Sequence, residues 1–228
     1  SARRGSGVPF GPKPKSGGPR RAPPKGQAAA AAARAPRLFP RGFPPSGFAP
    51  KPEVPVLLNG SFETGTNPPA IDRTLYATTA TPNRDIRNWV VVPVPGQSNG
   101  SIDWYKNTSW QAAHGSYSID LNGFGSAGSI YQDIAGLERG GVYVVVFSMS
   151  GNPDAGPVEK RLKVSIDTQS ATFSFRITGV TRQNMRYQTK AFAFVWNARN
   201  NRLRFDSLVP GPSGYGPVLD NVRLFRVL

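Results

Sequence analysis

The sequence predicts an all-β fold: a two-sheet jelly-roll sandwich over residues 53–228, preceded by an extended, Pro/Gly-rich basic arm over residues 1–52. Three observations carry this. From Val54 onward, apolar and polar residues alternate with the period of two that puts one face of a strand into a core. Clusters of Gly, Pro and Asn break that alternation into short pieces. The first 52 residues hold 12 Pro and 8 Gly, a composition that does not support a packed core.

The arm comes first. Proline fixes φ and biases the residue before it away from the α region, so this stretch should be extended and polyproline-like, with glycine joints. Its one helix-prone piece, Ala28–Ala33, is too short to offset the cost of nucleation alone in water. Arg37-Leu38-Phe39-Pro40, Arg41-Gly42-Phe43-Pro44 and Pro45-Ser46-Gly47-Phe48 then alternate basic and aromatic residues on a stiff backbone. Arginine and aromatic anchors of this kind dominate interface hot spots. Packing of the same rings on the chain's own folded domain is the alternative.

In the second part, Ile130, Gln132 and Ile134 form a short alternation. Val142–Phe147 is a nearly continuous apolar run, as in a strand covered on both faces. Leu162, Val164 and Ile166 alternate with Lys163 and Ser165, and Phe173, Phe175 and Ile177 with Ser174 and Arg176. Phe192, Phe194 and Trp196 continue the pattern, as do Leu203 with Phe205 and Val222 with Leu224. Turn signals lie between: Pro95-Gly96, Asn99-Gly100, Asn122-Gly123, Gly140-Gly141, Gly151-Asn152-Pro153 and Pro210-Gly211-Pro212. No window keeps a 3.6-residue period, so no helix is expected.

The chain has 28 Lys+Arg against 13 Asp+Glu, a net charge of +15. Residues 1–52 hold 11 of the basic residues and no acid; the first acid is Glu53. The charge therefore belongs mostly to the arm and calls for an anionic partner. Without cysteine there is no disulfide framework and no thiolate chemistry. No apolar run reaches the ~18 residues of a membrane span. No hydrophobic leader opens the sequence, which counts against secretion. Phosphate-cradling motifs are absent. His114 is the only histidine, and no nucleophile elbow surrounds a serine that would join it and Asp120 in a triad. A non-catalytic protein is expected.

Several short pieces recur in a fixed order along 56–225. They are Asn59-Gly60-Ser61-Phe62-Glu63 at an expected first strand, Trp89, Gly100-Ser101-Ile102-Asp103-Trp104 and Trp110 through Ser116. Ser118 through Gly123, Ile130 through Ile134, Tyr143 through Asn152, and Gly216 through Val222 follow. In that order they resemble the choice-of-anchor C family and the related plant cell-wall domain of the galactose-binding-like jelly roll. The resemblance implies a two-sheet sandwich with a binding role, usually toward cell-wall polysaccharide. It also implies a structural Ca²⁺ held by Glu63 and Asp220, with Asn59 and Asp72 as further oxygen donors; hydrogen bonding of these acids to backbone is the alternative. No other cofactor is expected. Trp104, Tyr105 and Trp110 are candidates for a sugar-stacking platform, with Asp103 or Asn107 as polar partners; a place in the core is the alternative.

The arm decides the functional expectation. Its layout is similar to that of the basic linkers of red-algal phycobilisomes, which hold acidic phycobiliproteins together. The leading expectation is thus a structural linker of the chloroplast, on the stromal side of the thylakoid. It would thread acidic subunits through Arg20, Arg21, Arg34, Arg37, Phe39, Arg41, Phe43 and Phe48, with the β-sandwich as docking module. The alternatives are an extension protein of an organellar ribosome or other ribonucleoprotein, its arm on nucleic acid, and an extracellular polysaccharide-binding module.

Overall fold

The alternation written in the sequence becomes two packed sheets in the structure, a computed structural model that describes residues 57–227. These lie in the second of two units into which the chain divides, Ser46–Leu228. The described residues form twelve strands and no helix: β1 (Asp72–Thr78), β2 (Val90–Pro93), β3 (Asn99–Lys106), β4 (Tyr117–Asp120), β5 (Asn122–Gly123), β6 (Ser126–Asp133), β7 (Val142–Gly151), β8 (Glu159–Ile166), β9 (Gln169–Arg176), β10 (Gln188–Val195), β11 (Arg202–Ser207) and β12 (Pro217–Arg226). One sheet runs β1-β3-β4-β12-β7-β10. The other runs β2-β6-β11-β8-β9, with β5 paired to β6. Every pairing is antiparallel. This is the expected jelly-roll sandwich.

The core is the space between the sheets. The first sheet sends in Leu75, Ile102, Trp104, Ile119, Val145, Phe147 and Leu219, and the second Val91, Ile130, Leu162, Val164, Leu203 and Phe205, all buried in one cluster. Aromatic rings link the layers: Phe62 to Trp89 at 5.4 Å, Trp89 to Phe205 at 6.3 Å, and Phe205 to Phe147 at 5.3 Å, edge-on. Edge-on and tilted pairs at these distances are favourable geometries for aromatic quadrupoles.

One expected element is absent. Asn59–Glu63 is a tight turn rather than a first strand, since Asn59 (φ 51°) and Phe62 (φ 59°) are left-handed. Gly60 is needed there, because a Cβ would lie 1.9 Å from the Val222 carbonyl oxygen. The turn plugs the sandwich through Phe62. The Asn59 amide fixes it by donating to the carbonyls of Thr64 (2.9 Å) and Arg87 (2.7 Å).

The outer face of the first sheet is covered as well. Its central strands carry Tyr105 and Val218 on that side, and the loops 107–116 and 177–187 fold across them. Trp110 comes down from the first loop and Met185 from the second, making a small separate apolar cluster. The two loops are tied by Gln111 N–H to the Arg182 carbonyl (2.8 Å) and by Met185 N–H to Gln111 Oε1 (2.9 Å). Trp110→Ala should remove this cap and cost about 3–5 kcal/mol, the usual range for a buried tryptophan. Urea unfolding of the full chain measures it, and a loss under ~1 kcal/mol would show that the cap packs loosely.

Candidate functional site

The structure first sorts the residues expected to act. Arg20, Arg21, Arg34, Arg37, Phe39, Arg41, Phe43 and Phe48 lie outside the described residues. The expected stacking platform is not formed. Trp104 is fully buried between the sheets, its Nε1–H donating to the Phe62 carbonyl at 3.0 Å. Tyr105, one position on, points to the other face, where Trp110 stacks on it at 3.6 Å. Trp110 Nε1–H donates to Ser118 Oγ at 2.8 Å. A sugar stacks on a ring face open to water, and these three faces are covered by the protein itself.

The Ca²⁺ expectation does not fit either. Glu63 Oε1 accepts N–H bonds from Ser116 and Tyr117, both 2.9 Å. Asp220 Oδ2 accepts from Ala113 (2.7 Å) and His114 (2.9 Å), and its Oδ1 from Asn221. Ca²⁺ takes six to eight oxygen ligands. Here backbone N–H groups face the carboxylates, and the amide of Asn59 is occupied in its own turn. Among the described residues no group of three or more His, Cys, Asp or Glu is placed to hold a metal. The two acids clamp the loop that carries Trp110. Asp72 begins the edge strand β1, on the same face as Thr74.

A different group of residues is presented to solvent. Tyr76 on β1 is 60% exposed, Phe124 is 76% exposed, and Tyr215 is 37% exposed. They are neighbours. Tyr76 lies opposite Ser101 in the β1–β3 register. Ser101 Oγ sits 3.4 Å from the Phe124 carbonyl and 2.9 Å from Ser126 Oγ. A Cβ on Gly214 would lie 3.7 Å from the Phe124 Cα, and Tyr215 follows it. Phe124 stands at the tip of the β5–β6 hairpin, beside Gly125 (φ 89°), which makes the turn.

Beneath these rings lies a buried polar base. Asp103 and Asp120 are cross-strand partners on β3 and β4, on the outer face. Asp103 accepts from Thr74 Oγ1 at 2.5 Å and from the Phe124 backbone N–H. Burial pushes its carboxyl up to about 6. Asp120 has no exposure. It accepts from Asn122 N–H (2.9 Å), Asn152 Nδ2–H (2.8 Å) and Gly216 N–H (3.0 Å). Burial pushes it up to about 8 against those donors. Lys160, also buried, donates from Nζ to the carbonyls of Ala155 (2.8 Å) and Tyr215 (2.6 Å). Burial lowers its ammonium to about 8, while the charge of Asp120 acts the other way.

Asn122 completes the base. It donates to the carbonyls of Val209 (3.1 Å) and Ser213 (3.0 Å) and accepts from Ser207 Oγ. The loop holding Tyr215 is thus fixed from below by two amides, an acid and a lysine. Gly216 allows this close approach, because a Cβ would lie 2.4 Å from Asp120 Oδ1.

The arrangement offers exposed ring faces on a rigid polar support, with Asp103 and Ser101 at its centre. Sequence reasoning passed over all three rings. The available signals were an aromatic on the solvent side of an alternation, Tyr76 between Leu75 and Ala77, and an aromatic between two turn glycines, Gly123-Phe124-Gly125.

No curated protein matches the sequence. Solved structures do. TmCBM61, in complex with beta-1,4-galactotriose, is 21% identical, with 76% of this chain and 99% of that one aligned at a TM-score of 0.42. A family 35 carbohydrate-binding module from Clostridium thermocellum is 12% identical over 67% of this chain and 97% of its own, at 0.41. The CBM22-1 xylan-binding domain of Paenibacillus barcinonensis Xyn10C is 12% identical over 74% and 92%, at 0.39. The expected resemblances to choice-of-anchor C proteins and to phycobilisome linkers gain nothing from these matches. One family profile, described as a protein of unknown function (DUF642), matches residues 55–225, nearly the whole span of the ordered sequence pieces and of the sandwich. The chain belongs to the DUF642 family.

Proposed function

We propose that the sandwich is a non-catalytic polysaccharide-binding module whose contact surface is Tyr76, Phe124 and Tyr215. The observation that supports this is the exposure of three neighbouring aromatic side chains on a base of buried hydrogen bonds. Rings left in water on a rigid support are unfavourable without a partner, and contiguous patches of this kind mark binding sites. Sugar rings offer apolar C–H faces to stack and hydroxyls to hydrogen-bond. The Tyr76 and Tyr215 hydroxyls supply those hydrogen bonds, while Asp103 and Ser101, buried beneath the rings, hold the support in place. Asp120 is sealed and saturated with donors, so it too acts as support.

This reading favours the polysaccharide alternative, and an extracellular location goes with it. The linker reading, with phycobiliprotein partners and a chloroplast address, rests on residues 1–52 alone, as does the ribonucleoprotein alternative. The test is affinity electrophoresis of the full chain in gels containing galactan, xylan, cellulose derivatives or laminarin. One of these should retard the protein, and Tyr76→Ala or Phe124→Ala should each weaken binding by about tenfold, the ~1.4 kcal/mol of a good aromatic contact. Retardation unchanged in the double variant would remove the site.

A further inference from the structure

A second site lies at the opposite end of the strands. Where β2 begins and β6 and β11 meet, the surface opens into a cleft of about 530 Å³. That is within the range of roughly 300–1,000 Å³ typical of small-ligand sites. Its walls include Arg84, Asn88, Tyr131, Asp133 and Arg202. None of them belongs to the aromatic patch described above.

The charge of this cleft is one-sided, two arginines against one acid. Asp133 is the one acid in its wall, and its charge is paired by Arg202: Oδ1 accepts from Nε at 2.7 Å and Oδ2 from Nη2 at 2.9 Å. Gln132 is pinned at its base, its Oε1 accepting from Leu58 N–H and its Nε2 donating to the Leu58 carbonyl, both at 2.8 Å. Donors remain. A guanidinium carries five N–H groups, and Asp133 takes two of those on Arg202. Arg84 is exposed, and neither its guanidinium nor the amide of Asn88 has a hydrogen-bond or ion-pair partner among the described residues. The charge of Arg84 reaches Asp133 only at longer range, where it adds to Arg202 in holding that carboxyl below its ordinary value. Arg202 is also held in place: its guanidinium carbon lies 3.7 Å over the Tyr131 ring. Stacking and the bidentate pair fix its plane, so its remaining N–H groups point in set directions.

A carboxylate only accepts, and pairs with the fork of an arginine. The two arginines against one acid leave the wall with a net positive charge. We propose that this cleft binds the carboxylate of a uronic acid residue in an acidic polysaccharide, with Arg84 and Asn88 as its principal contacts and Arg202 as the oriented second donor.

The basic arm attracts any polyanion, so the experiment must separate arm from cleft. The full chain is titrated calorimetrically with a galacturonate trisaccharide, with a neutral galactose trisaccharide, and with a sulfated trisaccharide of equal charge, at about 0.15 M salt. Tight binding of the uronate alone is expected. Arg84→Ala should weaken it about tenfold and Asn88→Ala less, while the arm variant Arg20→Ala/Arg21→Ala and the patch variant Tyr76→Ala/Phe124→Ala should leave it unchanged. Equal binding of the neutral sugar, or no effect of Arg84→Ala in a variant of unchanged melting temperature, would overturn the proposal. Equal binding of the sulfated sugar would overturn the carboxylate assignment, and loss in the arm variant would move the binding to residues 1–52. Failure of the aromatic patch to bind neutral polysaccharide leaves every one of these outcomes readable.

Discussion

Asp120→Ala should destabilise the domain by about 3–5 kcal/mol, because each buried donor left unmet costs about 1–3 kcal/mol. The side chain has no exposure, and its removal strands Asn122 N–H, Asn152 Nδ2–H and Gly216 N–H without acceptors. Unmet buried donors cost more than the bonds contributed. Above about pH 8, where Asp120 is ionised, Lys160 also loses its counter-charge. For a domain of this size the melting temperature should fall by about 10 °C or more. Asp120→Asn keeps the volume and one acceptor, and should cost less than half as much. The contrast is Asp133→Ala. That acid pairs with Arg202 across a side-chain exposure of 48% and 40%, and exposed pairs contribute under ~1 kcal/mol. Thermal unfolding of the three variants orders them, and equal losses for Asp120→Ala and Asp133→Ala would show that the buried network is not what holds the Tyr215 loop.

Stability should fall steeply as pH rises from about 5 to 8. Burial, the largest cause in each case, pushes Asp103 up to about 6, Asp220 to about 7 and Asp120 to about 8. In the unfolded chain these carboxyls return to 3.8. Between those values the folded protein binds more protons than the unfolded one, so the slope of unfolding free energy with pH is negative. What these acids contribute is complete below pH 3.8 and lost as pH passes through their folded values. Two groups act in the other sense. Asp133, held below its ordinary value by Arg202, adds stability that disappears on acidification. Lys160, lowered from 10.5 to about 8, has its cost of burial relieved as pH climbs past 8.

The melting temperature should therefore peak in mild acid and reach a minimum near the folded values of Asp120 and Lys160. A tenfold change in a carboxyl's proton affinity on folding is worth about 1.4 kcal/mol, so a single raised acid moves the transition by several degrees. Circular dichroism melts at constant ionic strength trace the curve. Asp103→Asn should remove the part centred near pH 6. A flat profile from about pH 5 to 8 would mean that the N–H donors around Asp120 and Asp220 keep those carboxylates charged throughout.

The strands were largely legible. Leu162, Val164 and Ile166 are buried on β8, and Phe192 with Phe194 on β10, because alternation is a property of neighbours along one strand. The candidate site was not. The same alternation that placed Trp104 and Tyr105 on opposite faces says nothing about what covers each face. Trp110 covers Tyr105 only because Met185 and Gln111 meet across 74 positions of sequence. Glu63 and Asp220 read as oxygen ligands until the loop at 113–117 brings its N–H groups to them. Tyr76, Phe124 and Tyr215 lie far apart in the sequence, and so do Arg84 and Arg202; the strand order gathers each set at its own end of the sandwich.

By itself the sequence determined that residues 1–52 are basic, acid-free and proline-rich and that a β-sandwich follows, since charge, proline content and a two-residue period are local quantities. Tertiary structure decided which aromatics are core and which are surface, which acids are clamps, and where unused donors collect. Those properties depend on contacts between distant strands and loops, where burial and hydrogen-bond saturation are set by what the other segments bring.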